Sequence, residues 1–222
     1  MKIAILGNGK MGKRIGELAK KNGDKIIAVS SSNRPAISID LSVADVAIDF
    51  STPSSAFENI SHAIRSGIPV VSGTTGWLEE LQDIEKLCIE KNGAFLYASN
   101  FSLGMNIFFE INKKLAKLMK NHKYKNKIHE IHHTEKLDYP SGTAIALAEQ
   151  IENILNIKSK ITTDRINNIT GTHQITYESS VEKIEIKHIA KNRDGFAMGA
   201  IMAAEWIIGK KGVFSMKDVL AQ

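Results

Sequence analysis

The densest chemistry in the chain lies in the run Glu130-Ile131-His132-His133-Thr134-Glu135-Lys136-Leu137-Asp138-Tyr139-Pro140-Ser141-Gly142-Thr143. Two imidazoles and an ammonium supply proton donors and acceptors that work near neutral pH. Ser141 suits the N-cap of a helix, and Gly142 and Thr143 would then present first-turn N–H groups that have no intrahelical acceptor. Those groups, at the positive end of a helix dipole, favour a carboxylate. With His132, His133 and Lys136 as further donors, the segment reads as a pocket for a small carboxylated substrate with a proton source at hand. Plainer roles compete. Adjacent histidines on a strand point to opposite faces, which leaves one free to be a packed core residue. Ser141 would cap its helix in either case. A metal could draw on His129, Glu130, His132 and His133, but no helical His-Glu-x-x-His arrangement is present, and no metal is expected.

A second motif sits at the N-terminus. Gly7-Asn8-Gly9-Lys10-Met11-Gly12 fits G-x-G-x-x-G between an apolar run and a helical pattern. Gly7 permits the tight turn, Gly9 lets the backbone approach a pyrophosphate, and Gly12 lets helix and strand pack closely. The helix N-terminus then faces the anion. The second apolar run ends Val29-Ser30-Ser31-Ser32-Asn33-Arg34, without the carboxylate that usually reads an NAD ribose. Hydroxyls of Ser31 and Ser32 with Arg34 would accept a 2′-phosphate, which favours NADPH over NADH. A solvated turn with a lone arginine is the alternative. Two further turns fall where carboxyl ends of parallel strands belong. Gly73, Thr74 and Thr75 would flank the nicotinamide ribose, and Asn100, Phe101 and Ser102 would meet the carboxamide.

These residues need a scaffold that brings loops together. Strands are predicted at Lys2–Leu6, Lys25–Ser30, Val46–Phe50, Ile68–Ser72 and Ala94–Ala98. They alternate with helices at Lys13–Asn22, Pro53–Ser66 and Leu78–Asn92, which implies a parallel sheet with right-handed crossovers. The pattern then changes. Met105–Lys120 reads as a helix with Phe108, Ile111, Leu115, Leu118 and Met119 inward. Lys127–His133 reads as a strand and Ser141–Leu155 as a helix. Ile161–Asn167, His173–Ser180 and Val181–Ala190 read as strands with little helix between them, hence a mixed or antiparallel sheet. Asp194–Gly209 reads as a last helix with Met198, Ile201, Met202 and Trp206 inward. The fold class is therefore α/β: a Rossmann-type parallel-sheet domain over residues 1–104 and 193–222, and an α+β domain over 105–192 for substrate binding and oligomerisation. Trp77, Trp206 and Asp49 read as packing or local hydrogen bonding.

Composition excludes several classes. The chain has 222 residues, 43% hydrophobic and 24% charged, with 29 basic and 24 acidic side chains. That is ordinary globular usage, and no apolar run reaches the length of a membrane span. The N-terminal apolar stretch is too short for a signal peptide, so a cytoplasmic protein is expected. One cysteine, Cys88, rules out an intrachain disulfide and reads as packing. Seven lysines and no carboxylate lie between Ile111 and His129. They form either a solvated face or a field that steers anionic ligands. Only Tyr124 interleaves with them, and no nucleic-acid motif accompanies them.

Taken together, the motifs resemble those of the dihydrodipicolinate reductases. The resemblance spans nearly the whole chain. It rests on Gly7–Gly12, Ile48-Asp49-Phe50-Ser51, Gly73-Thr74-Thr75-Gly76, Asn100-Phe101-Ser102 and, most specifically, His132-His133 through Lys136 to Pro140-Ser141-Gly142-Thr143. It implies NAD(P)H-dependent reduction of a cyclic dicarboxylate imine in lysine and diaminopimelate biosynthesis, by a cytoplasmic homotetramer. It further implies that His132 is the acid/base residue, that Lys136 donates a proton, and that His133, Ser141, Gly142 and Thr143 bind substrate. The cofactor would touch Gly7, Asn8, Gly9, Lys10, Met11, Gly12, Gly73–Thr75 and Asn100–Ser102. The chain departs from the pattern near Ser31, where many members carry an acid. Another Rossmann oxidoreductase of amino-acid metabolism, or a non-catalytic NADPH sensor, is the rival reading; a sensor has no need of the His132/His133/Lys136 group.

Overall fold

Short apolar runs become parallel strands when helices cover both faces of their sheet. In the computed structural model, which describes residues 1–221, these runs are β1 (Lys2–Leu6), β2 (Lys25–Ser30), β3 (Val46–Asp49), β4 (Val70–Ser72) and β5 (Ala94–Tyr97). Between them lie α1 (Lys10–Lys21), α2 (Pro53–Arg65) and α3 (Leu81–Glu90). After the second unit come α6 (Asp194–Ile207), β10 (Gly212–Phe214) and α7 (Met216–Leu220), and β10 adds a sixth parallel strand beside β5. The sheet order is β10-β5-β4-β3-β1-β2. Strand order reverses between β1 and β3, and ligands bind at the carboxyl ends of strands at such a switch point. The glycine loop leaves β1 there.

Two apolar clusters hold this unit together, one on each face of the sheet. Ile3, Ile5, Ile48 and Val71 pack with α1 and α6, and Leu6, Ala47, Val70 and Phe95 pack with α2 and α3. Each large side chain so buried contributes roughly 1.5–3 kcal/mol. Trp77 packs edge-on against Phe95 and Tyr97 and donates its indole N–H to Thr74 O at 2.7 Å. On α6 the buried face is made of Ala197, Ala200, Ile201, Ala203, Ala204 and Ile207, whereas Met198 is 60% exposed. The expected inward Met198 is thus corrected: small residues let α6 lie close to the sheet. Arg14 on α1 ties down the start of α6 with a forked ion pair to Asp194, at 2.7 and 2.8 Å. Neither strand β10 nor helix α7 is long enough to show a period in the sequence.

The second unit spans Gly104–Arg193. Its sheet has the order β7-β6-β8-β9, built from β6 (Lys125–His132), β7 (Lys160–Arg165), β8 (Gly171–Glu178) and β9 (Lys183–Ala190). β6 and β7 run parallel because α5 (Gly142–Leu155) crosses between them; the other pairs are antiparallel. Met105, Phe108, Ala116 and Met119 of α4 (Leu103–Met119) pack with Leu147 and Ile151 of α5 and with Ile128, Ile175 and Tyr177 of the sheet. The expected inward Ile111 and Leu118 are exposed instead, and Asn112 is fully buried. The exchange has a physical reason. Asn112 Nδ2 donates to Leu147 O at 3.1 Å and to Gln150 Oε1 at 3.0 Å, so a polar side chain joins the two helices. In the lysine run, Lys113 pairs with Glu110 and Lys127 with Glu178.

Candidate functional site

The glycine loop is built on two close approaches. Gly7 has φ +114, and a Cβ there would lie 2.1 Å from Phe50 O; a Cβ on Gly12 would lie 1.9 Å from Gly7 O. No side chain fits either position. Gly9 differs, because a Cβ there meets nothing within 4 Å. It caps α1 without a side-chain hydrogen bond and borders a cavity of about 750 Å³. Gly7, Asn8 and Gly9 form one wall of that cavity, Ser31 and Ser32 another, and Phe50, Ser51 and Asn59 a third. Open space over Gly9, next to a helix N-terminus, fits a pyrophosphate. Arg34 is exposed and is not among the lining residues. It closes a tight turn through paired backbone bonds with Ser31 at 2.8 and 3.0 Å.

The Gly73–Thr75 and Asn100–Ser102 turns lie outside the cavity wall but are tied to it through Phe50. A Cβ on Gly73 would fall 2.3 Å from the Phe50 ring, and the rings of Phe50 and Phe101 sit 5.6 Å apart. Phe101 is buried, Thr75 is exposed, and Asn100 Oδ1 accepts the Ser102 N–H at 2.9 Å. Beneath them lies Asp49, fully buried at the end of β3. Its carboxylate accepts from Ser51 Oγ at 2.7 Å, Asn59 Nδ2 at 3.1 Å, Ser72 Oγ at 2.8 Å and Thr74 Oγ1 at 2.7 Å. Burial pushes its pKa up, and the four donors pull it back. Asp49 thus joins the ends of β3 and β4 to α2. The sequence implies local hydrogen bonding at Asp49 but not a hub. Asp49→Ala would strand these four donors, and a buried unsatisfied group costs about 1–3 kcal/mol. Urea denaturation is expected to show a loss of at least about 3 kcal/mol. A loss below about 1 kcal/mol would mean the donors find other partners.

In the second unit, β6 ends at His132 and α5 begins after Ser141. The two are locked by Glu130, which is fully buried. Ser141 donates its N–H to Glu130 Oε1 at 2.9 Å and its hydroxyl to Oε2, while the same hydroxyl accepts the Ala144 N–H at 3.2 Å. His132 Nδ1 lies 3.4 Å and His173 Nε2 3.6 Å from Glu130 Oε2. Burial pushes Glu130 up, but His173 and Ser141 outweigh it and hold the carboxyl at about 2. His132 is lowered too: burial first, then nearby His173, bring it down to about 4. Its Nε2 faces Gly171, where a Cβ would stand 3.2 Å away. His132 is therefore neutral at pH 7 in the free protein.

Lys136 sits on the loop between β6 and α5, and its Nζ pairs with Asp138 at 2.7 and 2.9 Å. Burial raises Asp138, but Lys136 and the Gly142 N–H lower it overall. Asp138 thus holds a carboxylate between an ammonium and the start of α5. His133 borders a separate cavity of about 280 Å³ with Asn167, Asn168 and Arg193. Glu130, His132 and His173 are near enough for one ligand atom of each to meet at a cation. The chemistry points elsewhere: Glu130 already takes two donors from Ser141, and Arg165 Nη1 lies 3.7 Å from it. His173 and Arg165 are not among the expected site residues, and Glu130 is expected only as a possible metal ligand. Glu130 and His173 stand on strands as ordinary polar positions, and Arg165 reaches the loop only through β7.

Comparison with known proteins adds the following. The family description "Dihydrodipicolinate reductase, N-terminus" matches residues 1–101, and "Dihydrodipicolinate reductase, C-terminus" matches residues 104–220. A 4-hydroxy-tetrahydrodipicolinate reductase of Christiangramia forsetii is 48% identical over 100% of this chain and 98% of its own. One from Methanopyrus kandleri is 36% identical over 80% of this chain and 71% of its own. A dipicolinate-bound dihydrodipicolinate reductase from Paenisporosarcina sp. TG-14 shares the fold, with a TM-score of 0.80, 23% identity and 98% of each chain covered. No helix among the described residues is long and apolar enough to cross a membrane.

Proposed function

The chain belongs to the dihydrodipicolinate reductase family and works as an NAD(P)H-dependent 4-hydroxy-tetrahydrodipicolinate reductase of lysine biosynthesis; we propose which of its residues do so, and with which cofactor. The cofactor pyrophosphate lies over Gly9 at the start of α1, with Gly7, Asn8, Lys10, Met11 and Gly12 forming the loop. Gly73–Thr75 and Asn100–Ser102 take the nicotinamide end. When bound, the reduced nicotinamide supplies a hydride to the ring. The protein supplies the rest: orientation of a dicarboxylate and a proton at a ring carbon.

One observation carries the assignment of the substrate grip. The Asp138 carboxylate stands against both Lys136 Nζ and the Gly142 N–H, which marks an anion site of the kind a substrate carboxylate needs. Substrate displaces Asp138, and its carboxylate takes Lys136, Gly142 and Thr143. Ser141 contributes through its cap rather than through its hydroxyl, which Glu130 and Ala144 already engage. The family resemblance assigns His133 to the substrate as well. Lys136 gives the proton that completes reduction once the electron pair has moved onto the ring nitrogen. His132, neutral before binding, takes up a proton as the dianionic substrate arrives, and stabilises the charge that develops. A placed acid of this kind accelerates a reaction roughly 10²–10⁴-fold. The test is a coupled assay: dihydrodipicolinate synthase with pyruvate and aspartate semialdehyde supplies the substrate, and the loss of nicotinamide absorbance is followed. No oxidation of either cofactor above background would refute the reading.

NADPH is the preferred cofactor. The wall formed by Ser31 and Ser32 carries hydroxyls and no carboxylate, and a carboxylate there is what repels a 2′-phosphate. Steady-state kinetics is expected to give a kcat/KM several times higher with NADPH than with NADH; a strong NADH preference overturns this. The family resemblance also supports a cytoplasmic homotetramer, which light scattering on the purified protein tests.

A further inference from the structure

Arg165 is the last residue of β7, and its guanidinium turns toward the loop that carries Lys136. Nε donates to Lys136 O at 3.4 Å, and Nη2 donates to Asp138 O at 2.6 Å. The same group lies over the Tyr139 ring, 5.1 Å from its centroid. Nη1 donates to Asp164 O at 3.0 Å and stands 3.7 Å from Glu130 Oε1. The side chain is only 16% exposed. An arginine on a free surface spreads its donors into water; this one spends them on backbone carbonyls and a carboxylate. The loop from His133 to Pro140 has no helix or strand of its own. Besides the Lys136–Asp138 pair, its other ties include Lys136 N–H to His133 O at 3.2 Å, Thr134 Oγ1 to Asn167 at 2.8 Å and Tyr139 O–H to Thr163 O at 3.2 Å. Only Arg165 among these contacts bonds the carbonyls on either side of Leu137, and so sets the backbone from which the Lys136 side chain leaves.

We propose that Arg165 is a positioning residue for the reduction: it clamps the Lys136–Tyr139 segment so that the ammonium stands ready at the ring, while touching neither substrate nor cofactor. The planar fork is essential, because a lysine offers a point charge and cannot bond two carbonyls at once. A misplacement of about 1 Å at a reacting group can cost on the order of a hundredfold in rate. The inference rests on the reading of Lys136 as the proton donor.

The test compares Arg165→Ala, Arg165→Lys and Lys136→Ala in the full chain. Arg165→Ala is expected to lower kcat about tenfold or more, with the KM for NADPH unchanged. Millimolar guanidinium, far below denaturing concentrations, is expected to restore part of kcat by refilling the clamp. Arg165→Lys keeps the charge near Glu130 and is expected to stay several times slower than the parent. If Arg165→Ala fails to fold, Arg165→Lys decides: parental kcat overturns the proposal. A raised substrate KM with intact kcat also overturns it, since that marks a direct contact with substrate. Full turnover in Lys136→Ala brings down the proton-donor reading and this inference together; loss in Lys136→Ala with none in either Arg165 variant brings down this inference alone.

Discussion

Lys136→Ala is expected to lower kcat by about a hundredfold or more while the Kd for NADPH stays within about twofold. The split follows from where the groups stand. The residues lining the cavity over Gly9 all come from the first unit, whereas Lys136 lies on the loop before α5. On the proposed reading, removing the ammonium takes away the proton source and one donor for the substrate carboxylate; it also leaves Asp138 facing the start of α5 without its cation. Substrate KM is therefore expected to rise as well, because the incoming dianion now meets an uncompensated carboxylate. Lys136→Arg keeps the charge and so recovers KM more than kcat, since a guanidinium holds its proton too tightly to give it up. Stopped-flow measurement of nicotinamide oxidation distinguishes the outcomes. Hydride transfer at the parental rate in Lys136→Ala would eliminate Lys136 from the chemistry and return the acid role to His132.

The parts of this site that could be read from sequence are those whose chemistry is local. The glycine loop is one. Strand, turn and helix follow one another there, and the contact that demands glycine at position 12 is with the loop's own Gly7; the contact at position 7 comes from Phe50 beyond β3, yet the glycine spacing marks the loop without it. The segment from His132 to Thr143 is another, because strand end, loop and helix cap are consecutive. Arg165 was out of reach: its partners lie 27 and 29 residues earlier, and nothing in its own segment distinguishes it from a solvated arginine. Asp49 was half legible. A carboxylate at the end of an apolar strand needs donors, but that they come from α2 and β4 is a fact of sheet order. The helix faces failed for a different reason. Hydrophobic periodicity places Ile111 and Leu118 inside, yet Asn112 occupies the α4–α5 contact because it can bond a backbone carbonyl there. On α6, close approach to the sheet selects alanine over Met198. Periodicity ranks residues by apolarity, whereas packing also ranks them by size and by the polar partners on offer.

Each unit is organised around one fully buried carboxylate, Asp49 in the first and Glu130 in the second. Asp49 collects neutral donors only. Glu130 has titratable neighbours, His132 and His173, and this makes the second unit the acid-sensitive one. His132 is held at about 4 in the folded protein against an ordinary 6.5. Between those two values the unfolded chain binds a proton that the folded chain does not. Stability is then complete above about pH 6.5 and is lost as the pH falls toward 4. The displacement corresponds to a loss of about 3 kcal/mol over that window. Glu130 extends the effect: its folded value of about 2 lies below the ordinary 4.5, so its contribution is present above 4.5 and drains away as the pH falls toward 2. Urea denaturation at pH 7, 5.5 and 4.5 is expected to show the first loss in the parent and most of it abolished in His132→Asn, which cannot take up the proton. On the proposed reading a bound dicarboxylate opposes the same loss, because a dianion beside His132 raises its affinity for the proton and charges it in place. An identical pH slope in parent and His132→Asn would show that His132 is not the group being protonated, and the charge-on-binding role proposed for it would fall with that result.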